Sequence, residues 1–169
     1  MSEAREWLVQ WVRDAHAMEE QAETMLSGQA QRLENYPMLK GGIERHLEET
    51  KIQAKRLADY LDRIDEGNST VKDIGGKLMA MGQAFTGMFA SDEVMKGALA
   101  GYTFEHMEIA SYTMLITAAE ELGDQELVQI CSQNLKEEVE MAEWLASEAP
   151  KLTKEFLERS EFDSDAAKR

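Results

Sequence analysis

Residues 94–122, VMKGALAGYTFEHMEIASYTMLITAAEEL, decide the fold. Val94, Ala98, Gly101, Glu105, Glu108, Tyr112, Leu115, Ala119 and Leu122 recur at alternating steps of four and three, the spacing that lines one face of an α-helix. The face is apolar at both ends and carries two glutamates in its middle. A helix from Asp92 to Leu122 that buries this stripe must place carboxylates inside a core.

Working outward, the anomaly recurs. Residues Glu3 to Leu33 predict a helix with Leu8, Val12, Ala15, Glu19, Ala22 and Leu26 inward. Pro37, a residue suited to a first helical turn, opens a second helix to Asp65, with Leu39, Ile43, Leu57, Tyr60 and Ile64 inward and His46, Glu49 and Gln53 on the same broad face. After the Gly123-Asp124 break, Gln125 to Glu148 predicts a helix burying Leu127, Cys131, Asn134, Glu138, Met141 and Leu145. Pro150 is expected to open a short terminal helix to Arg159, leaving 160–169, SEFDSDAAKR, as a disordered tail beyond a single domain of residues 1–159.

The connection at 70–90 is expected to carry its own amphipathic helix, about Val71 to Phe89. Its methionine-rich stretch LMAMGQAFTGMF is better suited to packing than to holding haem. Two helical hairpins joined by one long crossover describe an all-α, ferritin-like four-helix bundle.

The positions of the glutamates point to chemistry. Glu19 to Glu49 and Glu108 to Glu138 are both 30 residues apart, and 89 residues separate Glu19 from Glu108 and Glu49 from Glu138. Two similar hairpins related by a pseudo-twofold would bring these four carboxylates together, with His16, His46 and Glu105 one turn earlier. An uncompensated buried charge costs several kcal/mol, whereas a whole domain is stable by only about 5–15 kcal/mol. No lysine or arginine stands on the stripes, so protons, water or metal must compensate. Oxygen-rich ligation with an imidazole suits iron or manganese, as a di-iron or di-manganese centre.

Composition narrows the alternatives. Thirty-three acidic against 18 basic residues give a formal charge of −15, which repels nucleic acid and anionic membrane surfaces. The uncharged stretch Leu78 to Ala90 is too short to span a bilayer as a helix and includes Gly82, Gln83, Thr86 and Gly87. One cysteine, Cys131, excludes an intrachain disulfide, and a cytoplasmic location is the expectation.

DAHAMEEQ (14–21), HLEET (46–50) followed by Gln53 and Arg56-Leu57, EHMEIASY (105–112) and LKEE (135–138) together resemble the YciE/YciF ferritin-like family over residues 7–157. That resemblance implies a ferritin-like bundle, a homodimer, a role in bacterial stress responses and ferroxidase activity. Carried over residue by residue, it gives Glu19, His46, Glu49, Glu105, Glu108 and Glu138 as metal ligands. Ferritin-like di-iron proteins more broadly use Glu-x-x-His on two helices. Here Ile52 and Met141 stand three residues after Glu49 and Glu138, and the order is reversed in His46-x-x-Glu49. Two function classes follow: a metal-dependent oxidoreductase, or a noncatalytic dimeric stress or scaffold protein with a vestigial site.

Overall fold

The computed structural model describes residues 2–65 and 92–168. The expected helix at about 71–89 lies outside the described residues. The elements are α1 (Glu3–Arg32), α2 (Pro37–Asp65), α3 (Glu93–Glu121), α4 (Gln125–Phe162) and α5 (Ser164–Lys168). Their ends obey local rules. Ser2 caps α1 by accepting from Arg5 N, and Asp124 caps α4 by accepting from Leu127 N at 3.0 Å. Gly123 ends α3 with φ 72°, a left-handed conformation that a side chain would strain.

Ion pairs between helix ends fix the topology. Arg5 at the start of α1 pairs with Asp124 at 2.6 Å, and Tyr60 near the end of α2 donates to the same carboxylate at 2.6 Å. At the opposite end, Arg32 of α1 pairs with Glu93 at the start of α3. α1 and α4 therefore run one way, and α2 and α3 the other. Asp65 and Asp92 consequently lie at opposite ends of the bundle, the connectivity of a ferritin-like fold.

The inward faces follow the periodicity closely. Every residue of the α1 and α4 stripes is buried. On α3 the face turns slightly toward its N-terminal half. Gly97, Ala100 and Phe104 are buried while Ala98 is partly exposed, and Leu122 at the helix end is 37% exposed. On α2 the polar positions His46, Thr50 and Gln53 separate Ile43, which belongs to one apolar cluster, from Leu57, which belongs to another. On α4, Asn134 and Glu138 likewise separate Cys131 from Met141. A polar layer thus lies between two apolar plugs.

Two expectations about the C-terminal end are corrected. Pro150 does not open a new helix but sits inside α4. Its missing N–H and ring clash cost about 3 kcal/mol in a helix interior. Continuing the helix buries Leu152 and packs Phe156 against the Leu26–Leu145 cluster, and these contacts oppose that cost. Residues 160–168 are not a frayed tail. Asp163 breaks the helix and accepts from Asp165 N and Ala166 N at 3.0 and 3.1 Å, starting α5. The α1–α2 turn then holds it: Tyr36 donates to Ala167 O at 2.6 Å and Asn35 to Ala166 O at 3.0 Å.

Candidate metal centre

Each long helix delivers polar side chains to the middle layer because its apolar stripe runs on above and below them. His46, Glu105, Glu108 and Glu138 are all buried, and one ligand atom from each lies within 4.8 Å of the others. Opposite oxygen donors on a single transition-metal ion stand roughly 4.0–4.4 Å apart, so a slight contraction would bring these atoms into one coordination sphere. His46 Nε2 is 3.3 Å from Glu105 Oε2 and 3.2 Å from Glu138 Oε2. On the other side of the ring, Nδ1 is 3.0 Å from Glu49 Oε2.

Glu19 is completely buried beside this group. Its Oε1 accepts the hydroxyl proton of Tyr112, and Asn134 Nδ2 donates to the same hydroxyl at 2.9 Å. Glu49 stands apart from the other glutamates: its side chain is 40% exposed and reaches the group through His46. His16 lies at the bundle surface near Glu20, and His106 is exposed with its ring against Tyr102. Neither joins the cluster.

The electrostatics follow from burial. Desolvation pushes Glu138 up to about 9, against the opposing hydrogen bond from His46. Glu19 is pushed up to about 8 by the same cause, against the pull of Tyr112. Glu108 is raised well above the carboxylate range by burial and then by the charges of Glu138, Glu19 and Glu105. Burial lowers the His46 imidazole, but hydrogen bonding and charge from Glu105 and Glu138 outweigh it and carry the ring up to about 11. A cation-free group therefore holds onto protons, and an incoming metal ion would have to displace them.

The donor set fits a transition metal. Among the described residues, Glu19 Oε2, Glu105 Oε2, Glu108 Oε1 and both oxygens of Glu138 are buried without an aligned hydrogen bond. Buried acceptors are ordinarily satisfied, so these oxygens, two of which lie 3.2–3.3 Å from His46 Nε2, call for a cation, protons or water in the layer. The stripe reading missed Arg56 and Glu137. Arg56 reaches in from beside Leu57, forks onto Glu137 at 2.7 and 3.0 Å and donates to Asn134 Oδ1 at 2.9 Å. A basic residue flanking the stripe, 81 positions from an acid flanking another, was the available signal.

Fold and site together define an all-α helical bundle with a buried imidazole–carboxylate group able to bind a metal ion. The chain belongs to the family described as "Domain of unknown function (DUF892)", which matches residues 3–158. It is 32% identical over 133 residues to Protein YciF of Escherichia coli strain K12, covering 74% of this chain and 77% of YciF. Among solved structures, a protein from Xanthomonas campestris superposes with a TM-score of 0.80 at 42% identity, covering 95% of this chain and 99% of that one. The E. coli stress protein YciF superposes with a TM-score of 0.72 at 24% identity, covering 88% and 96%, and so shares the fold. These matches place the chain with the YciE/YciF proteins. Among the described residues, no helix is long and apolar enough to cross a membrane.

Proposed function

We propose that this protein is a di-metal carboxylate oxidoreductase of the bacterial stress response, binding iron or manganese and acting as a ferroxidase or on peroxide or dioxygen. His46, Glu105, Glu108 and Glu138 would hold one ion, and Glu19 would supply a carboxylate to a second. The observation that carries this reading is the set of orphaned carboxylate oxygens in the polar layer. When bound, the metal supplies one-electron redox chemistry and Lewis acidity.

The chain's own residues prepare the site. Glu49 holds His46 Nδ1, so that Nε2 faces the carboxylates. Leu57 and Cys131 belong to the apolar plug on one side of the layer, and Ile43 and Met141 to the plug on the other, which limits water in the layer. The charge of −15 concentrates Fe²⁺ around the bundle. The family resemblance supports a homodimer, and the single, buried Cys131 is compatible with the cytoplasm.

A second reading has its own support. His46 already stands between Glu105 and Glu138, so an imidazolium there could satisfy the layer without metal in a structural stress protein. Metal analysis of protein purified without chelator separates the two. Near-stoichiometric iron or manganese, with Fe²⁺ oxidation lost in Glu19→Ala and Glu108→Ala, is expected. Metal-free protein that oxidises Fe²⁺ no faster than these variants would overturn the oxidoreductase reading.

A further inference from the structure

Four residues form a chain of hydrogen bonds running inward from the flank of the bundle to Glu19. Arg56 Nη1 donates to Asn134 Oδ1 at 2.9 Å; Asn134 Nδ2 donates to the Tyr112 hydroxyl at 2.9 Å; Tyr112 donates to Glu19 Oε1. Asn134, Tyr112 and Glu19 are completely buried, while the Arg56 side chain is 21% exposed. Every step runs in one direction.

A guanidinium has donors and no acceptor, so the Asn134 oxygen must face Arg56. Its amide nitrogen is then obliged to face Tyr112 and occupies a lone pair of the hydroxyl. With Glu19 Oε1 unprotonated, the hydroxyl's one proton points at it, and a proton held by Glu19 sits on Oε2. That carboxylate is left with Oε2, which is buried and has no hydrogen-bond partner among the described residues. Glu137 secures the first link, because its two oxygens grip the Arg56 fork at 2.7 and 3.0 Å while it also accepts from Gln53 Nε2 at 3.0 Å.

We propose that Arg56, Asn134 and Tyr112 form a one-way ladder that positions Glu19, committing Oε1 to the protein and presenting Oε2 as a single-oxygen donor to a cation in the polar layer. The three are positioning residues: the ladder rests on the metal-binding reading for its purpose but not for its existence. It places a cation at the bundle flank in communication with a buried carboxylate through two neutral groups. This explains how an arginine that occupies no inward stripe can act on the site.

The test has a metal-free arm and a cobalt arm. In the first, protein carrying ¹³C at the tyrosine Cζ is compared by NMR in wild type, Arg56→Met, Asn134→Asp and, as a destabilised control, Leu8→Ala. The Tyr112 signal is expected to move in Arg56→Met and Asn134→Asp and to stay in place in Leu8→Ala. Arg56→Met removes a partly exposed side chain whose hydrogen bonds go to Asn134 and Glu137 rather than to Tyr112, so it keeps the test decisive even if Asn134→Asp fails to fold. An unmoved signal in Arg56→Met overturns the ladder.

In the second arm Co²⁺ is titrated by its visible absorption. Arg56→Met, Asn134→Asp and Tyr112→Phe are each expected to weaken binding by about 10–100-fold and to alter the cobalt spectrum, which simple loss of stability would not do. Unchanged affinity and spectrum in all three, with tight wild-type binding, overturns the positioning role while the metal reading stands. Absence of wild-type cobalt binding defeats the metal reading, and the NMR arm alone then decides the ladder.

Discussion

His46 Nδ1 lies 3.0 Å from Glu49 Oε2, one turn along α2, and this contact directs the opposite nitrogen toward Glu105 and Glu138. Outer carboxylates of this kind fix imidazole orientation and tautomer in metal sites. Glu49→Ala is expected to weaken Mn²⁺ or Co²⁺ binding about 10–100-fold, read by calorimetric titration. The metal-free protein should lose under about 1 kcal/mol, since the side chain is 40% exposed. Unchanged affinity would remove Glu49 from the site, and complete loss, as expected for Glu108→Ala, would make it a ligand.

The protons trapped in the polar layer give the metal-free protein an unusual pH dependence. Burial pushes Glu19 up to about 8 and Glu138 up to about 9 in the fold, from 4.5 ordinarily. The folded chain therefore holds protons that the unfolded chain has released. Their contribution is fully present below about pH 4.5 and is lost as pH rises toward 8–9, at about 1.4 kcal/mol per pH unit for each proton so held. His46 has the same sign, from 6.5 upward toward about 11. Thermal melts of metal-free protein should fall from pH 5 to pH 8, and saturating Mn²⁺ should reverse the trend, because deprotonated ligands bind it better. A metal-free melting temperature that rises over this range would contradict the buried arrangement.

Gly42 on α2 faces the Trp144 ring of α4 so closely that an added Cβ would stand 2.0 Å from Cη2. In an open helix position Gly→Ala gains about 1 kcal/mol. Here the ring packs at the edge of the Leu26–Leu145 cluster and lies 5.8 Å beneath the Arg45 guanidinium, so displacing it should cost about 1–3 kcal/mol and outweigh that gain. Gly42→Ala is expected to lower the melting temperature by several degrees, whereas in a Trp144→Ala background the same change should raise it.

The Tyr36 hydroxyl is buried, and its hydrogen bond to Ala167 O joins the α1–α2 turn to α5 beside that of Asn35 to Ala166 O. Ending the chain after Phe162 leaves that hydroxyl without its partner, at a cost of about 1–3 kcal/mol by chemical denaturation. Tyr36→Phe should cost about 1 kcal/mol in the full chain and little in the shortened one. Equal effects of Tyr36→Phe in both backgrounds would mean that α5 does not engage the hydroxyl.

Much of the fold was legible in the chain because helical periodicity is a local property. The stripe from Leu8 to Leu26 and the stripe from Leu127 to Leu145 are buried as their spacing predicts. Pro150 and the residues after it were misread because helix continuation there depends on what Leu152 and Ala167 bury against, and that lies far away in sequence. The equal 30-residue spacings treated Glu49 as the equivalent of Glu138. The structure separates them, one fully buried and the other at the rim, since equal spacing sets the level along a bundle but not the rotation of each helix.

The amino-acid sequence by itself determined that four helices would each carry polar groups at mid-length inside an apolar stripe, because that pattern repeats within single helices. Only the tertiary structure decided which of those groups meet. Distances across a bundle depend on the rotation and offset of helices distant in sequence, and it is this that brought His46 to Glu105 and Glu138, and Arg56 through Asn134 and Tyr112 to Glu19.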